Sequence, residues 1–145
     1  TEALLYAAGR AQHVRERIRP AVKAGKILLC DRFLDSSVAY QGGGRQLGVE
    51  QVLAINAPAV DGMLPLVTVY LDLDHRSSLR RRSAASQLDR LEMEKESFHA
   101  RVEEGYHALI ARQPERYVVV DARGDREEIS ATIREAVLSR LFEAE

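Results

Sequence analysis

The stretch KILLCDRFLDSSVAYQGGGR, residues 26–45, carries the first indication of a fold class in this chain. It opens with a short, continuous apolar run from Ile27 to Cys30 and then turns polar at Asp31 and Arg32. A short, uniformly apolar run is typical of a strand that is buried on both faces, as the strands of parallel sheets are. The sequence therefore predicts a β-strand over 27–30 whose carboxyl end delivers Asp31 and Arg32 to the edge of a sheet.

Two similar runs follow along the chain, LVTVYLDL at 66–73 and YVVV at 117–120, and each ends near an aspartate. Helical patterns alternate with the runs. Apolar residues recur at steps of three and four over 4–22, with Gly25 as the stop and Pro20 expected to bend or interrupt the last turn. Further helices are predicted over 49–60, 91–112 and 127–142. This alternation predicts an α/β fold, a three-layer parallel sheet with helices on both faces, whose ligands bind just after Cys30, Leu73 and Val120.

The composition predicts one compact cytoplasmic domain over 1–145. The 145 residues include 21 Lys plus Arg and 22 Asp plus Glu, a net charge of −1, so the chain has no basic excess for nucleic acid or an anionic membrane surface. No apolar run reaches the roughly 18 residues of a spanning helix, and no secretory leader is recognisable. Cys30 is the only cysteine. It cannot form an internal disulfide, and its apolar surroundings predict a buried, inert thiol.

Asp31 and Arg32 are the first candidate functional residues. At the open edge of a parallel sheet, a carboxylate can hold magnesium directly or through water, and a guanidinium can grip a phosphate with two parallel hydrogen bonds. A solvated ion pair is the alternative. The residues that follow favour a binding site, because Ser36, Ser37, Tyr40 and Gln41 add hydroxyls and an amide. The glycines at 42–44, before Arg45, supply backbone that a ligand can approach closely, or else form a simple flexible turn.

A second basic cluster, Arg80 to Arg82 with Arg90, flanks the small polar stretch SAASQL at 83–88, which is predicted to be a mobile loop. Arginines on a closing loop can stabilise the charge of a transferred phosphoryl group, whereas a solvated helix face is the alternative. The sequence offers no nucleophile-elbow serine. The histidines show no metal-binding spacing and are predicted to be ordinary surface or interface residues: His13, His75, His99 and His107.

The 145 residues contain no Walker A sequence, G-x-x-x-x-G-K-[ST]. The nearest candidate, Gly25-Lys26, has Pro20 in place of the first glycine and Ile27 in place of the hydroxyl residue. No phosphate-cradling loop of that type is encoded in this stretch.

The combination of motifs resembles the bacterial thymidylate kinases, which are P-loop nucleoside monophosphate kinases. The resemblance covers nearly the whole chain. It is carried by TEALLYAAGRAQH at 1–13, PAVKAGKILLCDRFLDSSVAYQGGGRQLG at 20–48, PLVTVYLDLD at 65–74, LDRLE at 88–92, FHARVEEGYHAL at 98–109 and ERYVVVDA at 115–122. LLYAAGR together with DRFLDSSVAYQGGGR is specific, although no single piece would be.

The resemblance implies a P-loop kinase fold of which this chain holds an incomplete part. Family members carry a strand, a Walker A loop, a helix and a second strand before the position equivalent to Thr1. The expectation is thus a partial thymidylate kinase domain over 1–145, with the first two strands and the P-loop absent, a dTMP-binding part, a lid at about 80–92, and a C-terminal strand and helix.

The resemblance also implies a role for each matched residue of the dTMP site. Tyr6, where the family more usually has Phe, matches the ring that stacks on thymine, and Arg10 matches the arginine that hydrogen-bonds its carbonyl. Ser37 and Gln41 match residues at the pyrimidine edge. Tyr40 matches the ring that crowds the sugar 2′ position and favours deoxyribose.

Around the phosphates, Asp31 matches the acidic residue near Mg²⁺ and Arg32 the arginine that binds the acceptor phosphate. Arg81, or a neighbour, and Arg90 fall in the lid, where the family keeps arginines that face ATP. Residues 83–86 carry none, unlike the arginine-studded lid of enteric members. The family also implies ATP as phosphoryl donor and a homodimer, which we expect to form through the first helix and the helix at 49–60.

Two other functions compete with dTMP kinase. A related P-loop deoxynucleoside kinase would share the strand followed by Asp-Arg but lack DSSVAYQGGGR. A non-catalytic nucleotide-binding or dimer-forming module is the rival from a different class, and the missing Walker A sequence favours it.

Overall fold

The computed structural model describes residues 1–74, 77–78 and 94–143, with Glu143 described by its backbone alone. The described chain falls into two compact units. The first unit comprises residues 1–64 and 97–109, and the second unit comprises residues 65–96 and 110–145. Within the described ranges, no helix combines the length and the apolar character needed to cross a bilayer.

The first unit begins with one long helical stretch that changes its winding partway. Helix α1 spans Glu2–His13, a π-helical segment spans Val14–Ile18, and helix α2 spans Arg19–Lys23. Proline has no N–H to offer the carbonyl four residues back, and the wider π winding lies directly before Pro20. Gly25, at φ +71°, follows the last turn. The predicted helix and its stop are confirmed, and Pro20 changes the hydrogen-bonding pattern without ending the helix.

The predicted strand over 27–30 is wrong. Residues 26–30 belong to no helix or strand, and in the described part of the chain no other segment pairs with them. Ile27 and Leu29 leave 74% and 90% of their surface exposed, and Cys30 is exposed rather than buried. An apolar run becomes a buried strand only when neighbouring strands satisfy its backbone and helices cover its faces, and among the described residues no strand pairs with this run.

A second helical stretch carries the rest of the motif. Helix α3 spans Leu34–Ser37 and continues as a π-helical segment over Val38–Gly44. Helix α4 spans Val49–Val60, with the bounds that the sequence predicts. Helix α4 packs against both α1 and the segment 38–44. Helix α5 spans Glu96–Arg112, and its residues 97–109 belong to the first unit. The predicted start of that helix, at 91, lies outside the described residues.

The glycine triplet is helical, and it is neither a loop nor a flexible turn. It lies against α5 at a distance that only glycine permits. A Cβ on Gly43 would come within 2.7 Å of the Arg101 carbonyl oxygen, and one on Gly44 within 2.6 Å of the Phe98 ring. From the other side, a Cβ on Gly105 would lie 3.1 Å from Ala39 Cα. The glycines therefore serve close helix packing, in which backbones approach because no side chain separates them.

The second unit holds a parallel sheet, which in the described residues has two strands. Strand β1 spans Thr68–Asp72 and strand β2 spans Tyr117–Asp121, in a register that pairs Thr68 with Tyr117 and Asp72 with Asp121. A short 3₁₀ turn, Pro114–Arg116, precedes β2. Helix α6 spans Arg126–Glu143 and packs against strand β2. The α/β class, these two strands and the last helix agree with the sequence prediction, with bounds shifted by one or two residues.

Candidate functional site

A pocket of about 230 Å³ in the first unit brings together three of the residues singled out from the sequence. Tyr6 and Arg10 come from α1, and Arg32 comes from the segment before α3. Tyr6 and Arg10 face the same side because they are four residues apart on a helix. The lining includes Leu5, Tyr6, Arg10, His13, Arg32 and Phe33. The pocket therefore offers one aromatic ring and two guanidinium groups.

Three acceptors hold the Arg10 guanidinium. Its Nη2 donates to the Ser37 Oγ at 2.8 Å and to the Phe33 carbonyl at 3.1 Å, while Nη1 donates to the Oδ1 of Asn56. Burial lowers the pKa of the guanidinium, an effect opposed by the nearby Cys30 thiol and Asp35 carboxyl. Arginine nevertheless stays charged in proteins, so the site presents a cation whose direction is set by the fold.

Arg32 has an unusual backbone, with φ at +60°. Residues other than glycine seldom occupy this region, and such strain, of about 1–3 kcal/mol, clusters at functional sites. The Arg32 Cζ lies 5.2 Å from the centroid of the Tyr40 ring, within range of a cation–π contact. Tyr40 in turn packs edge-on against Phe98 and Tyr106 of α5, at centroid distances of 6.1 and 6.5 Å. The exposed Arg32 side chain thus rests on a fixed aromatic ring.

Tyr106 links this aromatic group to α3. Its hydroxyl and the Ser36 Oγ lie 2.8 Å apart. Burial raises the pKa of Tyr106, against the lowering effect of this hydrogen bond, so the phenol stays neutral at physiological pH. Sequence reasoning did not single out Tyr106, although it follows the buried Val102 by one helical turn on α5.

Gln41 lies outside the pocket lining, in a polar group with Glu2 and Arg45. The Gln41 Nε2 donates to the Glu2 Oε1 at 2.9 Å, and the Arg45 Nε lies 3.4 Å from the same oxygen. The Arg45 Cζ also lies 4.9 Å from the Phe98 ring centroid. Although it directly follows three glycines, Arg45 is held by an ion pair and a ring.

The remaining sequence candidates fall into three groups. Asp31 is exposed next to the pocket residue Arg32. Arg81, Arg90 and His75 lie outside the described residues, as does the stretch at 83–88. The expectation of ordinary surface or interface histidines agrees with the exposure of His13 and His107, whereas His99 is buried within the chain with its ring edge-on to Phe98 at 5.3 Å.

Sequence reasoning also missed two further contact residues, Asn56 and Glu2. The sequence could have indicated Asn56, because it is a lone amide among the apolar residues of the buried face of α4, one turn after Val52 and one before Val60. It could not have indicated Glu2, because an acidic residue in a first helical turn is ordinary.

The chain matches the thymidylate kinase family model over residues 1–133. It belongs to the thymidylate kinase family. Among its relatives, the thymidylate kinase of Geobacillus sp. (strain WCH70) is 48% identical over 143 residues, which are 97% of this chain and 68% of the relative. That of Geobacillus thermodenitrificans (strain NG80-2) is 50% identical over 97% of this chain and 64% of the relative. The thymidylate kinase of Limosilactobacillus fermentum is 46% identical over 97% of this chain and 66% of the relative.

The chain therefore spans about two thirds of the length of these thymidylate kinases. The matched region includes every candidate residue of the dTMP site, from Tyr6 to Gln41.

Proposed function

We propose that the protein is a dTMP kinase, which transfers the γ-phosphoryl group of ATP to dTMP and produces dTDP. One observation carries the proposal: the pocket that combines the Tyr6 ring, the triply held Arg10 guanidinium and the strained Arg32. A pyrimidine nucleoside monophosphate needs an apolar face for its base, a donor for a base carbonyl and a cation for its phosphate. The family of the chain supports the same activity.

In this proposal each side chain has a defined task. The Tyr6 ring stacks on thymine and Arg10 donates to a pyrimidine carbonyl, with Ser37 as its neighbour at the base edge. Arg32 binds the 5′-phosphate with its guanidinium fork. Tyr40, whose ring is fixed by Phe98 and Tyr106, crowds the sugar 2′ position.

Gln41 is proposed to act at the pyrimidine edge together with Ser37. One N–H of its Nε2 donates to Glu2, and its carbonyl oxygen can accept from a donor on the base.

Asp31 suits the Mg²⁺ that accompanies phosphoryl transfer. Mg²⁺ commonly takes one or two carboxylates, with phosphate oxygens and waters as its other ligands. Asp31 is an exposed carboxylate, and the described residues contain no cluster of three metal-binding side chains that would form an all-protein cage. Asp31 would hold the ion directly or through water, and the ion would neutralise charge on the phosphates. Arg81 and Arg90 are proposed to meet ATP from the lid.

The wider architecture is part of the proposal. We propose a P-loop kinase fold with a three-layer sheet, a partial domain over 1–145, a cytoplasmic location and a homodimer through α1 and α4. Leu4 and Leu5, exposed by 60% and 68%, give α1 an apolar surface suited to such an interface.

The test is a kinase assay on the intact protein with ATP and Mg²⁺, in which dTMP, dUMP, dCMP, UMP and thymidine compete as acceptors and products are separated by chromatography. We expect dTDP as the main product. Preference for a nucleoside without its 5′-phosphate would favour a deoxynucleoside kinase. Tight dTMP binding without any transfer would favour a non-catalytic module.

A further inference from the structure

Asn56 lies at the centre of α4 with none of its surface exposed. Both ends of its amide are used. Its Nδ2 donates to the Val52 carbonyl at 2.8 Å, and its Oδ1 accepts from the Arg10 Nη1. Moving an amide from water into the protein interior without hydrogen-bond partners costs about 2–7 kcal/mol. The two hydrogen bonds of Asn56 offset this cost in one side-chain orientation only.

The orientation of this amide follows from the helix. The Val52 carbonyl can only accept, so the NH₂ group of Asn56 must face it. The amide carbonyl oxygen then faces Arg10. Since the Val52 carbonyl belongs to a regular helical turn, Asn56 is a rigid acceptor built into α4 and separated from Arg10 by 46 residues in sequence.

Asn56 completes a set of three acceptors around Arg10. The Phe33 carbonyl and the Ser37 Oγ share Nη2, and Asn56 alone holds Nη1 among the described residues. Acceptors on both terminal nitrogens resist tilting and rotation of a guanidinium more strongly than acceptors on one nitrogen alone. The orientation of Arg10 in the pocket therefore depends on Asn56.

We propose that Asn56 is a positioning residue that sets base discrimination by holding the Arg10 guanidinium toward the carbonyl at position 4 of the pyrimidine. The inference rests on the proposed function and adds to it a residue that is beyond the reach of the substrate. The arginine side chain can only donate hydrogen bonds. It therefore binds a base with a carbonyl at that position more tightly than a base with an amino group there. Without Asn56, the Arg10 guanidinium can turn away from an amino group at position 4, so discrimination against bases that carry it falls.

The experiment compares dTMP with 5-methyl-dCMP, which carries an amino group in place of that carbonyl, as acceptors for the intact enzyme at saturating ATP. In Asn56→Leu, which keeps the volume but removes the acceptor, the KM for dTMP should rise about 10-fold, with kcat changed less than about threefold, since the lost bond is made to a charged group. The kcat/KM preference for dTMP over 5-methyl-dCMP should fall about 10-fold, and the KM for ATP should not move.

Three further variants separate positioning from folding. Asn56→Asp keeps an acceptor for Arg10 but loses the donor to the Val52 carbonyl, so the Tm should fall while the preference remains within about threefold of wild type. Val52→Ala, one turn earlier on α4 and equally buried, should lower the Tm without changing the preference. If Asn56→Leu loses its native circular dichroism, Asn56→Ser carries the same expectation, because its shorter side chain does not reach Arg10.

A double-mutant cycle supplies the decisive comparison. In an Arg10→Ala background, Asn56→Leu should change kcat/KM for dTMP by less than about threefold, because its effect runs through Arg10. An undiminished effect in that background, or an unchanged preference in Asn56→Leu, would overturn the inference while dTMP kinase activity stands. A wild-type enzyme that does not phosphorylate dTMP would instead overturn the proposed function.

Discussion

Two arginines, one in each unit, show how differently the two parts of this protein use the same side chain. In the first unit, Arg10 is held by acceptors that lie 23, 27 and 46 residues away in sequence. In the second unit, Arg123 pairs at 2.6 Å with Asp121, two residues away, and both side chains are largely exposed. One arginine is placed by the tertiary structure and the other by a turn.

A short contact is therefore not by itself a measure of importance. The Arg10 contacts are partly buried, so losing one leaves a desolvated polar group, at a cost of about 1–3 kcal/mol. The Asp121–Arg123 pair remains in water after either partner is lost, and water replaces the contact. Substitutions in the contact network of the first unit should therefore affect function or stability more than those at the exposed pair.

The largest expected effect follows from the absence of a Walker A sequence in the 145 residues. The 145-residue chain prepared alone should bind dTMP through the first unit but show no phosphoryl transfer, because it has no Walker A sequence to cradle the β- and γ-phosphates of ATP. Calorimetry with dTMP and a chromatographic assay for dTDP would measure the two properties separately. Measurable turnover by a polypeptide of verified mass would contradict this prediction, and a polypeptide that also carries a Walker A segment is the control.

The next effect lies within the first unit, between Arg32 and Arg45. In the intact enzyme, Arg32→Ala should lower kcat/KM for dTMP about 30-fold or more, because a desolvated phosphate loses a charged partner worth about 2–5 kcal/mol. Arg32→Lys should recover only part of this loss, since an ammonium lacks the planar fork.

Arg45→Ala is the matched control for that comparison. It removes the ion pair with Glu2 and the contact with the Phe98 ring, so it should cost about 1 kcal/mol of stability while leaving dTMP kinetics nearly unchanged. Steady-state kinetics with dTMP varied, together with thermal unfolding, would separate the two. If Arg32→Ala stays within about threefold of wild type, a change of about 0.7 kcal/mol, the phosphate-binding role is wrong.

A smaller effect compares one glycine from each unit. Gly43→Ala should destabilise the first unit by about 1–3 kcal/mol, because the new Cβ meets a backbone oxygen at 2.7 Å that cannot rotate away. Gly124→Ala should change stability by less than about 0.5 kcal/mol, since its Cβ would lie 3.7 Å from the flexible Glu128 carboxylate. Urea unfolding of both variants is the measurement. Equal destabilisation would show that the close packing of the triplet on α5 is not the cause.

The smallest effect tests the exposed pair directly. The Arg123 side-chain hydrogen bond, aided by its backbone N–H, lowers the pKa of Asp121 from 3.8 to about 2. Arg123→Ala should raise this pKa only partway, because the backbone N–H remains. Because the pKa of Asp121 is lower in the folded than in the unfolded protein, its ionised carboxylate stabilises the fold at any pH above the unfolded value. This stabilisation disappears as the pH falls from about 4 toward 2. NMR titration of the carboxyl carbon would measure the change, and an unmoved midpoint would refute the pairing.

Local pattern predicted most of the elements. Apolar periodicity predicted the long first helix, the helix over 49–60 and the last helix, and short continuous apolar runs predicted the two strands described, because both signals are properties of neighbouring residues. The same reasoning failed at 27–30 and at the glycine triplet. Whether an apolar run joins a sheet, or a glycine faces a helix, depends on what packs against it, and the local sequence does not contain that information.

By itself the sequence determined the α/β class, the family and the residue types of the candidate site, since Tyr6, Arg10 and Arg32 stand in motifs that can be read in one dimension. Only the tertiary structure decided how the site is held. It brought Asn56 to Arg10 across 46 residues, set Tyr40 on the rings of α5, and fixed Arg45 on Glu2. Such contacts form between segments that the fold brings together, so their geometry depends on the packing of whole helices and on no local pattern.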